Sequence, residues 1–105
     1  MHSASEALQI AKELVRSGMS VQDANIEVIR MMGVRIIAGS IPSDIRKHLS
    51  SGVKAGKLGH LRKDGLRPEA YFHPNSRAKA IEKRNRIANE SIDALRRVFA
   101  PASDL

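Results

Sequence analysis

VKAGKLGHLRKDGLRPEAYFHPN, Val53 to Asn75, decides how this chain is organised, because two strand-like runs meet there at Asp64-Gly65. Asp-Gly between extended runs favours a two-residue loop whose central positions need positive φ, which Gly takes freely and Asp tolerates. The stretch therefore predicts a charged β-hairpin. With Asp64 and Gly65 as the loop residues, Lys63 faces Leu66, Arg62 faces Arg67, Leu61 faces Pro68 and His60 faces Glu69. Alternation then places Leu61, Leu66, Ala70 and Phe72 on an apolar side, with His60, Arg62, Arg67 and Glu69 on the other. Pro68 has no N–H to give to a ladder, so its strand is expected at a sheet edge. Two facing arginines repel unless something negative lies over them.

Upstream of the hairpin the pattern is helical. Ser3 and Glu6 form a capping box, and Ala7, Leu8, Ala11, Leu14 and Val15 follow at helical spacing, predicting a helix over about Ser5 to Ser17. Ser20 and Asp23 open a second helix, Val21 to Met32, which Gly33 ends. Met31 and Met32 read as core filler rather than as a binding groove. VRIIAGSI, Val34 to Ile41, reads as a short strand or as a buried connector. Pro42, Ser43 and Asp44 start a third helix to about Ala55, with Ile45, Leu49 and Val53 on one face and Arg46, Lys47, Ser50 and Lys54 on the opposite one. Gly56 is suited to stop it, and Gly52 is placed to split it in two.

Downstream, His73 to Ser76 ends the hairpin and caps a last helix, residues 77–99, with Pro101 beyond it. Its Ala78, Ile81, Asn85, Ala88, Ile92, Leu95 and Phe99 alternate at spacings of three and four, a heptad seam with a single Asn at an a position. Such a seam pairs with a second copy, giving a dimerisation face of Ile81, Asn85, Ala88, Ile92, Leu95 and Phe99, or packs on helices of its own chain. Residues 1–100 are expected to form one domain, and 101–105 a frayed tail.

A chain of 105 residues without cysteine can bury about 65% of its unfolded surface, so it needs neither disulfides nor metal for stability. The N-terminal MHSASEAL has no apolar run, and a cytoplasmic protein is expected. The net charge of +7 is unevenly spread. Residues 1–34 hold three bases against four acids, residues 35–86 thirteen against four, and residues 87–105 two against three. All the excess lies in the middle, as in an electrostatic footprint for a polyanion.

Enzymatic chemistry has little support. HExxH, GxSxG and the glycine-rich phosphate loops are missing, the serines read as caps and turn residues, and no cofactor or metal is expected. His60 with Glu69 is the nearest thing to a site, and two groups do not make one. Nucleic-acid binding remains. Tyr71, Phe72 and Phe99 are the only aromatic side chains, which is few for stacking on single strands, so duplex DNA is the better fit. Arg46, Lys47, Ser50, Ser51 and Lys54 on a helix can lie in a major groove, while Lys57, Arg62, Lys63 and Arg67, with Arg77 and Lys79, reach backbone or an adjacent groove.

The order of helices, IPSDIRKHLSSGVKAGKLGHL and a basic hairpin resembles the winged helix-turn-helix class of DNA-binding domains over Val34 to His73. The resemblance implies that Ile45 to Ala55 is the recognition element and Lys57 to Phe72 the wing. The expected fold is thus mainly α with a β-hairpin, a winged helix-turn-helix-like domain with a long C-terminal helix. The expected function is non-catalytic duplex DNA binding, in transcriptional regulation or DNA organisation at the nucleoid, as a homodimer. The alternatives are a protein-interaction module or inhibitor that binds an acidic protein partner, and a structured-RNA binder.

Overall fold

The computed structural model describes residues 4–99. Helix α1 spans Ala4–Arg16 and α2 Val21–Met32. The Ser20 hydroxyl accepts the Asp23 N–H at 3.1 Å, satisfying one of the free donors of the first turn of α2. Gly33 closes that helix at a φ of 89°, with its N–H on the Ile29 carbonyl. Ser3, the expected cap of α1, and the tail 101–105 lie outside the described residues.

Strand β1, Val34–Ile37, follows at once, so the first of the two readings of VRIIAGSI holds for its first half. Helix α3 covers Ser43–Lys54, β2 Gly59–Leu61 and β3 Glu69–Phe72; a 3-10 turn at Pro74–Ser76 leads into α4, Arg77–Val98. The result is mainly helical with a small antiparallel sheet and a long C-terminal helix, a layout compatible with a winged-helix-like fold. Gly52 does not split α3, which is one continuous helix; between β1 and β2 there is no second helix to complete a helix-turn-helix pair. The glycine serves close approach instead: a Cβ there would stand 2.9 Å from Ile26 Cδ1 and 3.3 Å from Leu58 Cδ1.

The hairpin loop lies one residue further along the chain than expected, which shifts the strand pairing by two residues and leaves the faces unchanged. Leu61 pairs with Ala70, His60 with Tyr71, Gly59 with Phe72, and the bridge nearest the tip joins Asp64 to Arg67. The loop residues are therefore Gly65 and Leu66. Gly65 has a φ of 57° and Leu66 does not have positive φ, so glycine meets the one unusual requirement of the turn. Asp64 instead sits on the stem, where its backbone exchanges hydrogen bonds of 3.0 and 2.9 Å with Arg67. The Pro68 strand is not an edge: β3 is central, flanked by β1 and β2, and Pro68 stands just before it. Leu66 is exposed at the tip and leaves the apolar side.

Alternation divides the sheet as expected for the remaining residues. Leu61, Ala70 and Phe72, with Val34 and Ile36 from β1, face Ala80 of α4. Tyr71 and Ile37 face the other way, into a core with Ile26, Ile29, Leu49 and Leu58. Tyr71, Phe72, Ile29 and Leu49 are the largest fully buried side chains, each stabilising by about 1.5–3 kcal/mol on burial. Gly59 is dictated by this packing, since a Cβ there would fall 2.2 Å from the Phe72 ring. The layers are thus α2 and α3 on one face of the sheet and α4 on the other, with α1 resting on α2.

Candidate nucleic-acid interface

Helix α3 presents two unlike faces. Leu49 and Gly52 are buried and Ile45 and Val53 pack on the same core, which leaves Lys47, Ser51 and Lys54 exposed on the outside and Ser50 half-buried at its margin. The Ser51 hydroxyl donates to the Lys47 carbonyl at 3.0 Å, so this face stays smooth and its cations project beyond it. Lys57 follows in the turn after α3, and its backbone carbonyl accepts from Arg30 at 2.6 Å. Arg62 and Lys63 are exposed on the hairpin arm.

Arg46, expected on the same outer face, is turned toward the sheet. Its guanidinium donates to both Glu69 oxygens at 2.8 Å, the two-toothed geometry in which Arg–carboxylate pairs are strongest. His60 Nε2 lies 2.6 Å from the same carboxylate, and its ring stacks on Tyr71 at 4.5 Å between centroids. The pairing of His60 with Glu69 expected from the sequence therefore exists, but diagonally, since Tyr71 is the direct partner of His60. The Arg46 hydrogen bonds lower the Glu69 pKa to about 2, against partial burial that pushes the other way; His60 adds to the lowering. The same bonds raise the pKa of Arg46.

The consequence is electrostatic. Glu69 is consumed by Arg46 and His60, and Asp64 by Arg67, whose Nη1 lies 3.1 Å from Asp64 Oδ2. Arg67 thus faces an acid across the turn rather than Arg62. Among the described residues no ion pair is made by Lys47, Lys54, Lys57, Arg62 or Lys63, which leaves five cations from the helix and the hairpin without a carboxylate. Arg77 and Lys79 open α4, on the opposite face of the sheet from α3, so they do not join the cations of α3.

Tyr71 and Phe72 are both 1% exposed, and neither offers a ring to a base. Tyr71 is buried because α2 and α3 make a second core on its side of the sheet. His73 Nδ1 accepts the Asn75 N–H at 3.0 Å, a cap for the 3-10 turn, and His48 Nε2 lies 3.4 Å from Asp23. No cluster of three or more His, Asp or Glu able to hold a metal occurs among the described residues, and none of their helices is long and apolar enough to cross a membrane.

On α4 the sheet-facing residues are Ala80, Arg84 and Ala88. Of the expected seam, Ala88 is therefore occupied within its own chain, while Asn85 and Ile92 are half-buried and Ile81, Leu95 and Phe99 are exposed. Arg84 was not singled out from the sequence. It is 6% exposed, its Nη2 donates to the Arg62 carbonyl at 2.7 Å, and its Nε has no partner. The signal was present in the small residues four positions away on either side, Ala80 and Ala88, which let the helix lie close enough to the sheet for a long side chain to run between them. Comparison of the chain with protein-family models, curated proteins and solved structures finds no match.

Proposed function

We propose that the protein is a non-catalytic binder of duplex DNA, a winged-helix-like module that uses the outer face of α3 and the arm of the hairpin. The observation that carries this reading is the set of five cations, Lys47, Lys54, Lys57, Arg62 and Lys63, left without acids on one helix and its adjoining hairpin. Phosphates are the counterions such a set fits, with the small Ser51 and Ser50 permitting close approach of the helix to a groove. Burial of Tyr71 and Phe72 supports a duplex over single strands, which are held by stacking on exposed rings. Transcriptional regulation or DNA organisation is the task that follows.

Fluorescence anisotropy with random duplex DNA, duplex RNA and single strands over a salt series tests the proposal. Neutralising one phosphate per cation gives a slope of log affinity against log salt of about −4.5. Lys47→Ala and Lys63→Ala should each reduce that slope by about 0.9 with the fold intact. Preference for duplex RNA would move the reading to an A-form backbone binder, and absent or salt-independent association with any duplex would overturn it in favour of an acidic protein partner.

A further inference from the structure

Helix α4 is held to the sheet by small residues in its first half and runs on past it. The seam is exposed at both ends and covered in its middle: Ile81 is 39% exposed, Ala88 6%, Leu95 47% and Phe99 77%. Ile81, Asn85, Ile92, Leu95 and Phe99 lie on a face turned by roughly 60° from the side of Ala80, Arg84 and Ala88, at about 100° per residue. The helix thus spends one stripe on its own sheet and keeps a second, apolar and in heptad spacing, facing outward.

The charge along α4 is as uneven as its burial. Residues 77–86 hold five bases (Arg77, Lys79, Lys83, Arg84, Arg86) against Glu82, a sum of +4, and residues 87–98 hold Arg96 and Arg97 against Glu90 and Asp93, a sum of 0. A parallel pair would stack Asn85 on its counterpart but lay +4 against +4. An antiparallel pair sets each basic half beside the neutral half that carries Glu90 and Asp93, and also opposes the helix dipoles.

We propose that the occupant of this stripe is a second copy of the chain, with the two α4 helices antiparallel about a two-fold axis near Glu90. In that register Ile81 meets Phe99 of the second copy and Asn85 meets Leu95, so the most exposed side chains are covered by the half of the helix that the sheet holds rigid. Glu82 stands at the e position opposite Arg96 of the second copy, twice per dimer by symmetry. Among the described residues of the isolated chain that carboxylate is met only by Arg86, at 3.1 Å on the surface. The inference does not rest on the nucleic-acid reading.

The absence of cysteine makes orientation directly testable. Light scattering on the wild type at tens of micromolar should give the mass of two chains. Leu95→Glu, at an exposed position, should give one chain with unchanged helical circular dichroism. Asn89→Cys lies beside the axis on the same side in both copies, and should be joined to itself by a short bis-maleimide linker. Leu95→Cys meets its counterpart only in a parallel pair, and should not be joined. A monomeric wild type, a dimeric Leu95→Glu variant, or linking of Leu95→Cys in place of Asn89→Cys would overturn the proposal.

Discussion

The two faces of the sheet are covered by different means. On one, α2 and α3 bring Ile26, Ile29 and Leu49 against Tyr71 and Ile37, with the Arg46–Glu69–His60 group closing its edge. On the other, α4 contributes Ala80 to a cluster built mostly by the sheet itself, and places a cation, Arg84, where an apolar side chain would pack. The first face is stabilised by large side chains, and its edge carboxylate, Glu69, is matched by Arg46 and His60. The second is thin and holds the hairpin arm by one hydrogen bond. A thick core fixes α3 rigidly for display of its outer cations, whereas a thin contact leaves much of the apolar surface of α4 unused by its own chain.

Removing a large side chain from the thick face should have the largest effect. Leu49→Ala is expected to cost about 2–5 kcal/mol in urea unfolding, because Leu49 is fully buried in the core that α3 shares with α2 and the sheet. The corresponding cut on the thin face, Ala80→Gly, should cost only about 1 kcal/mol, mostly as helix propensity. Equal costs would break the comparison.

An intermediate effect is expected from the polar edge. Glu69→Gln leaves Arg46 and His60 without their shared carboxylate and should cost about 1–3 kcal/mol at neutral pH. The sign with pH follows from the lowered pKa: the carboxylate contributes its full stabilisation above the ordinary value of 4.5 and loses it as pH falls through about 2. The stability gap between wild type and Glu69→Gln should therefore shrink steadily from pH 5 to pH 2, as read by urea midpoints. A gap that does not change over that range would remove Glu69 from the acid limb.

The smallest effect is expected at Arg84. Its charge is buried with one carbonyl partner and no acid, so Arg84→Met should change stability by less than about 1 kcal/mol in either direction. Its loss should appear instead as faster amide hydrogen exchange at Arg62 and Lys63, because the tether that holds that arm to α4 is gone. A large destabilisation without faster exchange would show that the thin face depends on this side chain for packing.

Much of this was legible in local chemistry. Ser20 with Asp23, Gly33 and Gly56 delimited helices correctly because caps and stops act within one turn of chain. Lys47 and Lys54 of α3 sorted to its outer face because helical period decides which side chains share a face. The hairpin was legible as a hairpin but not in its register. Asp-Gly can occupy the two central positions or straddle one of them, and the ladder that locks Asp64 to Arg67 is a matter of strand pairing, not of the dipeptide.

By itself the sequence determined the helices, the hairpin and the concentration of charge between residues 35 and 86, since period, capping and composition are properties of neighbouring residues. Only the tertiary structure decided that β3 is central, that Arg46 leaves the basic face for Glu69, and which stripe of α4 meets the sheet. Each of these depends on a partner more than twenty residues away: β1 returning beside β3, Glu69 beneath α3, and the Arg62 carbonyl within reach of Arg84. Contacts of that range are chosen by how layers fill space and satisfy buried polar groups together, which no local pattern encodes.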